Sequence, residues 1–77
     1  MARNSVLHDA FCENVKKRRR LLGLTQQEVA DALGVSQPSY AQIESGRRMP
    51  GLDVVERVAQ ALDVLPADLL GERSAVA

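Results

Sequence analysis

At 77 residues the chain has room for one small domain, near the lower limit of what folds without disulfides or metals. Apolar residues make up 45%, enough for one core, but one Tyr, one Phe and no Trp require that core to be aliphatic. The single cysteine excludes an internal disulfide and fits a reducing, cytoplasmic setting; no apolar run reaches the roughly 20 residues that span a bilayer, and the first residues lack the apolar stretch of a secretory signal.

Formal net charge is zero, from ten Lys/Arg against ten Asp/Glu, which by itself speaks against a nucleic-acid partner. The distribution answers that objection. Residues 1–48 carry eight basic and five acidic side chains, whereas residues 49–77 carry two and five. Such asymmetry is the electrostatic footprint expected of a small nucleic-acid-binding protein.

Residues 1–8 have no clear periodicity and read as a loose N-terminal arm or an extra N-terminal turn; an arm would be either disordered or touching DNA through Arg3. His8 has no acid or second His at metal-ligand spacing and reads as a surface residue. A first helix is predicted over 9–22, with Phe11, Val15 and Leu22 on one face and Cys12 or Arg19 beside them. Cys12 reads as a small core residue, because no His or helix N-terminus is placed to activate it. The basic run Lys16-Lys17-Arg18-Arg19-Arg20 either solvates the helix end and suits its dipole or contacts phosphate. A helix cannot aim five consecutive side chains one way, so the run must be divided.

Gly23 ends that helix and Leu24 re-enters the core. Thr25 with Glu28 three residues on forms a capping-box pattern, and Val29, Ala30 and Leu33 recur at helical spacing. Gly34 sits where a helix ends in a left-handed residue, Val35 can plug the corner, Ser36 is a second cap and Pro38 lies in the following first turn. Two capped helices with about three residues between them form a helix-turn-helix. The second, 37–45, turns Tyr40 and Ile43 inward. Its outer side carries Gln37, Pro38, Ala41, Gln42 and Ser45, with Ser39 near the edge. Gln bonds adenine at N6 and N7, while Ala and a Pro ring suit a thymine methyl. Gln37 and Gln42 are therefore the expected base readers, with Pro38 and Ser39 shaping the contact. The start of the preceding helix, with Thr25 and Gln26, and the second cap Ser36 are expected at phosphates. So are Arg47 and Arg48, directly behind the second helix.

A fourth helix over 52–62 has an apolar stripe of Leu52, Val55, Val58, Ala59 and Leu62, with Asp53, Glu56 and Arg57 on its wet side. A fifth, short helix spans 66–70, with Pro66 in its first turn and Leu65 where a Ser or Asp cap is expected. Val64, Leu65, Leu69 and Leu70 exceed what so small a helix needs to bury and are expected to form a dimer contact. Residues 71–77 read as a frayed tail.

The pieces LGLTQQEVADALGVS, QIESGRRMP and LDVVERVAQALDV, in that order, resemble the phage-repressor and Xre-type (lambda repressor-like, Cro/C1-type) helix-turn-helix family. The resemblance covers Leu22 to Leu70. It implies an all-α, compact five-helix lambda-repressor-like bundle over residues 9–70. It also implies a transcriptional regulator binding double-stranded DNA. The residues themselves offer no phosphate-cradling Gly-rich loop, no paired Cys and no nucleophile–base pair, so neither an enzyme nor a cofactor or metal is expected. The resemblance further implies that Arg19 pairs with Glu44 to hold helix 1 against helix 3, that Gln26 bonds a phosphate and braces Gln37, and that the 46–51 loop binds the DNA backbone. Two departures stand out. Tyr40 occupies a position that is aliphatic in the family, so its hydroxyl needs a buried partner or reaches a phosphate. Asp63 stands where relatives often have Gly. As a homodimer, such a protein would read a pseudo-palindromic operator. The competing class is a protein-interaction module, an antitoxin or co-regulator that keeps the fold without reading DNA, with RNA polymerase or a toxin as conceivable partners.

Overall fold

The computed structural model describes residues 6–71; the expected contact of Arg3 and the tail beyond Gly71 lie outside the described residues. Five helices follow in order: α1 (Val6–Leu21), α2 (Gln26–Leu33), α3 (Gln37–Ser45), α4 (Leu52–Ala61) and α5 (Pro66–Leu70). There is no strand among the described residues. α1 packs on α3 and α5, α2 on α3 and α4, and α4 on α5.

Local chemistry places the boundaries. Thr25 accepts from the backbone of Glu28, whose carboxylate in turn accepts from the Thr25 N–H at 2.8 Å, a complete capping box. Ser36 accepts from Ser39 N–H at 3.2 Å, and Pro38 sits in the first turn, where its missing donor is harmless. At the end of α2, Gly34 adopts φ +75°, so that its own N–H and that of Val35 satisfy carbonyls of the last turn. The same closure ends α4, but there the left-handed residue is Asp63, at φ +59°. Asp tolerates this region better than most residues. Val64 N–H bonds Ala59 C=O and Asp63 N–H bonds Gln60 C=O, so the turn is as complete as at a glycine.

The core draws on every helix: Phe11, Cys12 and Val15; Val29, Ala30 and Leu33; Tyr40 and Ile43; Val55, Val58 and Ala59 with Leu62; and Leu69. Leu24, Val35, Val64 and Leu70 pack at its edge. The Cys12 thiol is buried, bonds the Ile43 carbonyl at 3.5 Å and is pushed above its usual pKa by that burial, so it is a core residue.

Several expectations are corrected. α1 begins at Val6 rather than Asp9, so residues 6–8 form the extra N-terminal turn of the two alternatives and not a loose arm. Leu22 is exposed, because α1 stops at Leu21 and the turn swings Leu24 inward instead. Leu52, the first residue of α4, is 79% exposed; the α4 stripe starts at Val55. Leu69, expected at a dimer contact, is 1% exposed and belongs to the core.

The ends of three helices are closed by side chains from other helices. Arg18 donates through Nε to the Leu62 carbonyl at 2.9 Å and through Nη2 to that of Asp63 at 3.2 Å. Asn14 reaches the carbonyls of Leu69 and Gly71 at 2.9 and 2.7 Å. Arg57, exposed on the wet side of α4 as expected, also donates to the Leu33 carbonyl at the end of α2. Each bond satisfies a carbonyl that the helix itself leaves open. Arg18→Met, which keeps the aliphatic stem, should therefore lower unfolding free energy by about 1 kcal/mol in urea titrations. Lys17→Met on the exposed side should change it by less than about 0.5 kcal/mol.

Candidate nucleic-acid interface

A polar cluster lies beneath α3, centred on Glu44. Glu44 is 3% exposed, on the inner side of α3. Arg19 of α1 approaches it side-on, Nε to Oε2 at 2.5 Å and Nη2 to Oε1 at 3.1 Å, while its Nη1 bonds the Leu24 carbonyl at 3.0 Å. Tyr40, 0% exposed, donates its hydroxyl to Oε2 at 2.6 Å. Gln26 Nε2 of α2 donates to Oε1 at 2.9 Å. The carboxylate therefore accepts four hydrogen bonds, two on each oxygen, near the full capacity of its lone pairs. The Tyr40 hydroxyl is thus spent on Glu44, and the alternative that it reaches a phosphate is excluded by its burial.

Burial pushes the Glu44 carboxyl pKa up, but the hydrogen bonds from Arg19, Tyr40 and Gln26 and the Arg19 charge outweigh it, and the net pKa lies below the ordinary 4.5. Its bond to Glu44 raises the Arg19 guanidinium pKa against the opposing effect of burial. Burial, with Glu44 beside it, drives the Tyr40 phenol well above its usual range, so Tyr40 remains a donor.

Outward from this cluster the geometry continues to the surface. Gln37 Nε2 donates to Gln26 Oε1 at 2.7 Å, tying the first residue of α3 to the first residue of α2. Gln37 is half-buried, and Pro38 and Gln42 are exposed. Ser39 is half-buried, its hydroxyl 3.0 Å from that of Ser36 and its backbone bound by the same cap. Thr25, Ser36, Arg47 and Arg48 are exposed around the two helix starts and the loop after α3. Gly46, in a left-handed turn at φ +85°, leads the chain from α3 into that loop. Asp53 and Glu56 are exposed on α4. Reading the sequence missed the Gln26–Glu44 bond, because nothing in the spacing shows that an α2 side chain reaches the inner face of α3.

Two short capped helices joined by a left-handed glycine turn, with the second presenting a neutral outer face, define a helix-turn-helix domain. Residues 15–69 match the family described as Helix-turn-helix, more than half of the chain. The chain belongs to this family, in its Xre-like, lambda-repressor-like branch. It is 43% identical over 54 residues to the uncharacterized HTH-type transcriptional regulator YqaE of Bacillus subtilis, covering 70% of this chain and 47% of that protein. It is 32% identical over 59 residues to the phage CTXphi transcriptional repressor RstR of Vibrio cholerae, covering 77% and 53%. The chain thus spans about half the length of these two relatives. Among solved structures it is similar to the regulator ClgR of C. glutamicum, with TM-score 0.79, 28% identity and 87% of each chain covered. It is also similar to the restriction-modification controller C.AhdI of Aeromonas hydrophila, with TM-score 0.75, 27% identity, and 80% and 94% covered. The family and these relatives are regulators, not enzymes. No helix of the described residues is long and apolar enough to cross a membrane.

Because the Glu44 pKa is lowered on folding, its contribution to stability is complete above about pH 4.5 and is lost as the pH falls through the lowered value. Thermal midpoints of the native chain should drop on acidification below that pH. Glu44→Gln should begin about 3 kcal/mol less stable, through loss of a buried charge partner, and should then show a shallower acid limb. An acid limb as steep as that of the native chain would assign the loss to other carboxylates.

Proposed function

We propose that the chain is a transcriptional regulator that binds double-stranded DNA as a homodimer, laying α3 in the major groove. The observation that carries this reading is the exposed outer side of α3: short, uncharged and amide-bearing, fixed from below by a buried carboxylate. A helix surface needing only solubility would carry Lys and Glu. Gln37 and Gln42 read base edges in this scheme, with Pro38 and Ser39 shaping the approach. Thr25, Gln26 and Ser36 at the helix starts, with Arg47 and Arg48 in the loop, hold phosphates and set the register. Exposed Asp53 and Glu56 keep the rest of α4 away from the duplex.

The dimer contact is assigned to the α4–α5 corner. Leu65 is 68% exposed, with Val64 half-buried beside it and Leu69 beneath in the core, while the half-buried Leu70 turns to a different groove. Leu21 lies exposed at the end of α1 and lines a shallow groove with Val64. A two-fold axis through this corner would let two copies read half-sites roughly 34 Å apart in a pseudo-palindromic operator.

A second reading has one observation in its favour. Leu7, Phe11, Met49, Pro50, Leu52 and Leu70 line an apolar groove on the other side of α5. A protein partner seated there would make the chain an interaction module, such as an antitoxin or co-regulator.

Selection from random duplex DNA at about 0.15 M salt should enrich an inverted repeat. No enrichment, together with a stoichiometric protein partner, would favour the second reading. Arg47→Ala and Arg48→Ala should each weaken binding on all sequences alike and flatten the logarithmic salt dependence by about one unit. Leu65→Lys should leave the thermal midpoint nearly unchanged but shift sedimentation toward the monomer; a dimer of undiminished strength would move the contact elsewhere.

A further inference from the structure

We propose that Glu44 determines which base Gln37 reads, by setting the direction of a hydrogen-bond relay that runs through Gln26. The inference rests on the assignment of α3 as the reading helix and adds a specificity-determining positioning residue that never touches DNA.

The relay follows from donor and acceptor rules. An ionised carboxylate has no hydrogen to give. Glu44 Oε1 therefore meets only the NH2 end of the Gln26 amide, and that bond is formed at 2.9 Å. With its nitrogen turned toward Glu44, Gln26 presents its oxygen to Gln37, and the Gln37 Nε2 donates to it at 2.7 Å. Gln37 is left with a free carbonyl oxygen and one remaining N–H. One acceptor beside one donor complements adenine, which presents N6–H and N7 in the major groove. Guanine presents two acceptors, O6 and N7, and would leave the Gln37 oxygen facing an oxygen.

Glu44 is held as an anion by groups outside the relay. Arg19 and Tyr40 occupy Oε2, and Arg19 also reaches Oε1. The charge that packs α1 against α3 is thus the same charge that orients the base-reading amide. If the carboxylate becomes an amide, Arg19 Nε and the Tyr40 hydroxyl hold its oxygen in the place of Oε2, and its NH2 turns toward Gln26 at the cost of the bond from Arg19 Nη2. Gln26 then inverts, Gln37 inverts after it, and two N–H groups point outward. That pattern suits guanine.

The test is base preference, measured by selection from random duplex DNA with the full chain and four variants. Gln37→Ala identifies the base pair that Gln37 reads, as the position whose preference it alone abolishes. At that position the native chain should prefer adenine by roughly tenfold to hundredfold. Glu44→Gln should lose that preference or shift it toward guanine, with other positions unchanged. Gln26→Met leaves the Arg19–Glu44 pair intact and frees Gln37, so it should relax the same position. Tyr40→Phe removes a bond to Glu44 but leaves the relay, and should lower the thermal midpoint while keeping the adenine preference. Circular dichroism at the binding temperature establishes that each variant is folded; if Glu44→Gln is not, Gln26→Met alone decides. Uniformly weaker binding with unchanged base preference in Gln26→Met or in a folded Glu44→Gln would overturn the relay and leave the reading helix in place. Loss of the preference in Tyr40→Phe would overturn it equally, as a general effect of destabilisation. A native chain that selects no sequence would remove the reading helix itself, and the relay with it.

Discussion

A single buried carboxylate holds the helix-turn-helix in register. α3 turns only two apolar side chains inward, Tyr40 and Ile43, too little apolar area to dock a nine-residue helix firmly. Glu44 supplies the rest, and it does so because a charge removed from water must have its lone pairs filled. Four donors fill them, drawn from α1, α2 and α3 itself. Positions of three helices are thereby fixed against one another at one point. The polar solution is also directional, which apolar packing is not: it constrains rotation of α3 about its axis as well as its distance from the core.

The same concern with unsatisfied polar groups explains how so small a domain closes its helix ends. Sixty-six described residues leave little room for long loops, so carbonyls at the ends of α2, α4 and α5 are met by Arg57, Arg18 and Asn14. These three side chains also tie chain-distant helices together. Arg18 and Arg19, adjacent in sequence, point to opposite partners, one to the end of α4 and one to Glu44. The basic run on α1 is therefore only partly an electrostatic surface; two of its five cations are structural.

A division of labour follows between the two sides of α3. The inner side carries the charge and the aromatic ring, and the outer side is left short and neutral. Loop arginines flank it and exposed acids lie on α4. With formal net charge at zero, any attraction of this chain to a polyanion would depend on where the charges stand, not on their sum.

The boundaries of α2, α3 and α5 were legible in the sequence because caps are local chemistry. Thr25 with Glu28, Ser36 with Pro38, and Pro66 each act within one helical turn, and no distant residue is needed to fix them. The Arg19–Glu44 and Gln26–Gln37 bonds were accessible only through family resemblance, since 25 and 11 residues separate the partners. Burial was less legible. Leu22, Leu52 and Leu69 are chemically identical, yet two face water and one lies in the core, because each outcome depends on where the next helix passes. The reach of Arg18 to Leu62, the burial of the Tyr40 hydroxyl and the bond from Gln26 to Glu44 belong to the tertiary structure alone. Periodicity assigns a side chain to a face of its own helix, but what stands opposite that face is settled only when the helices pack.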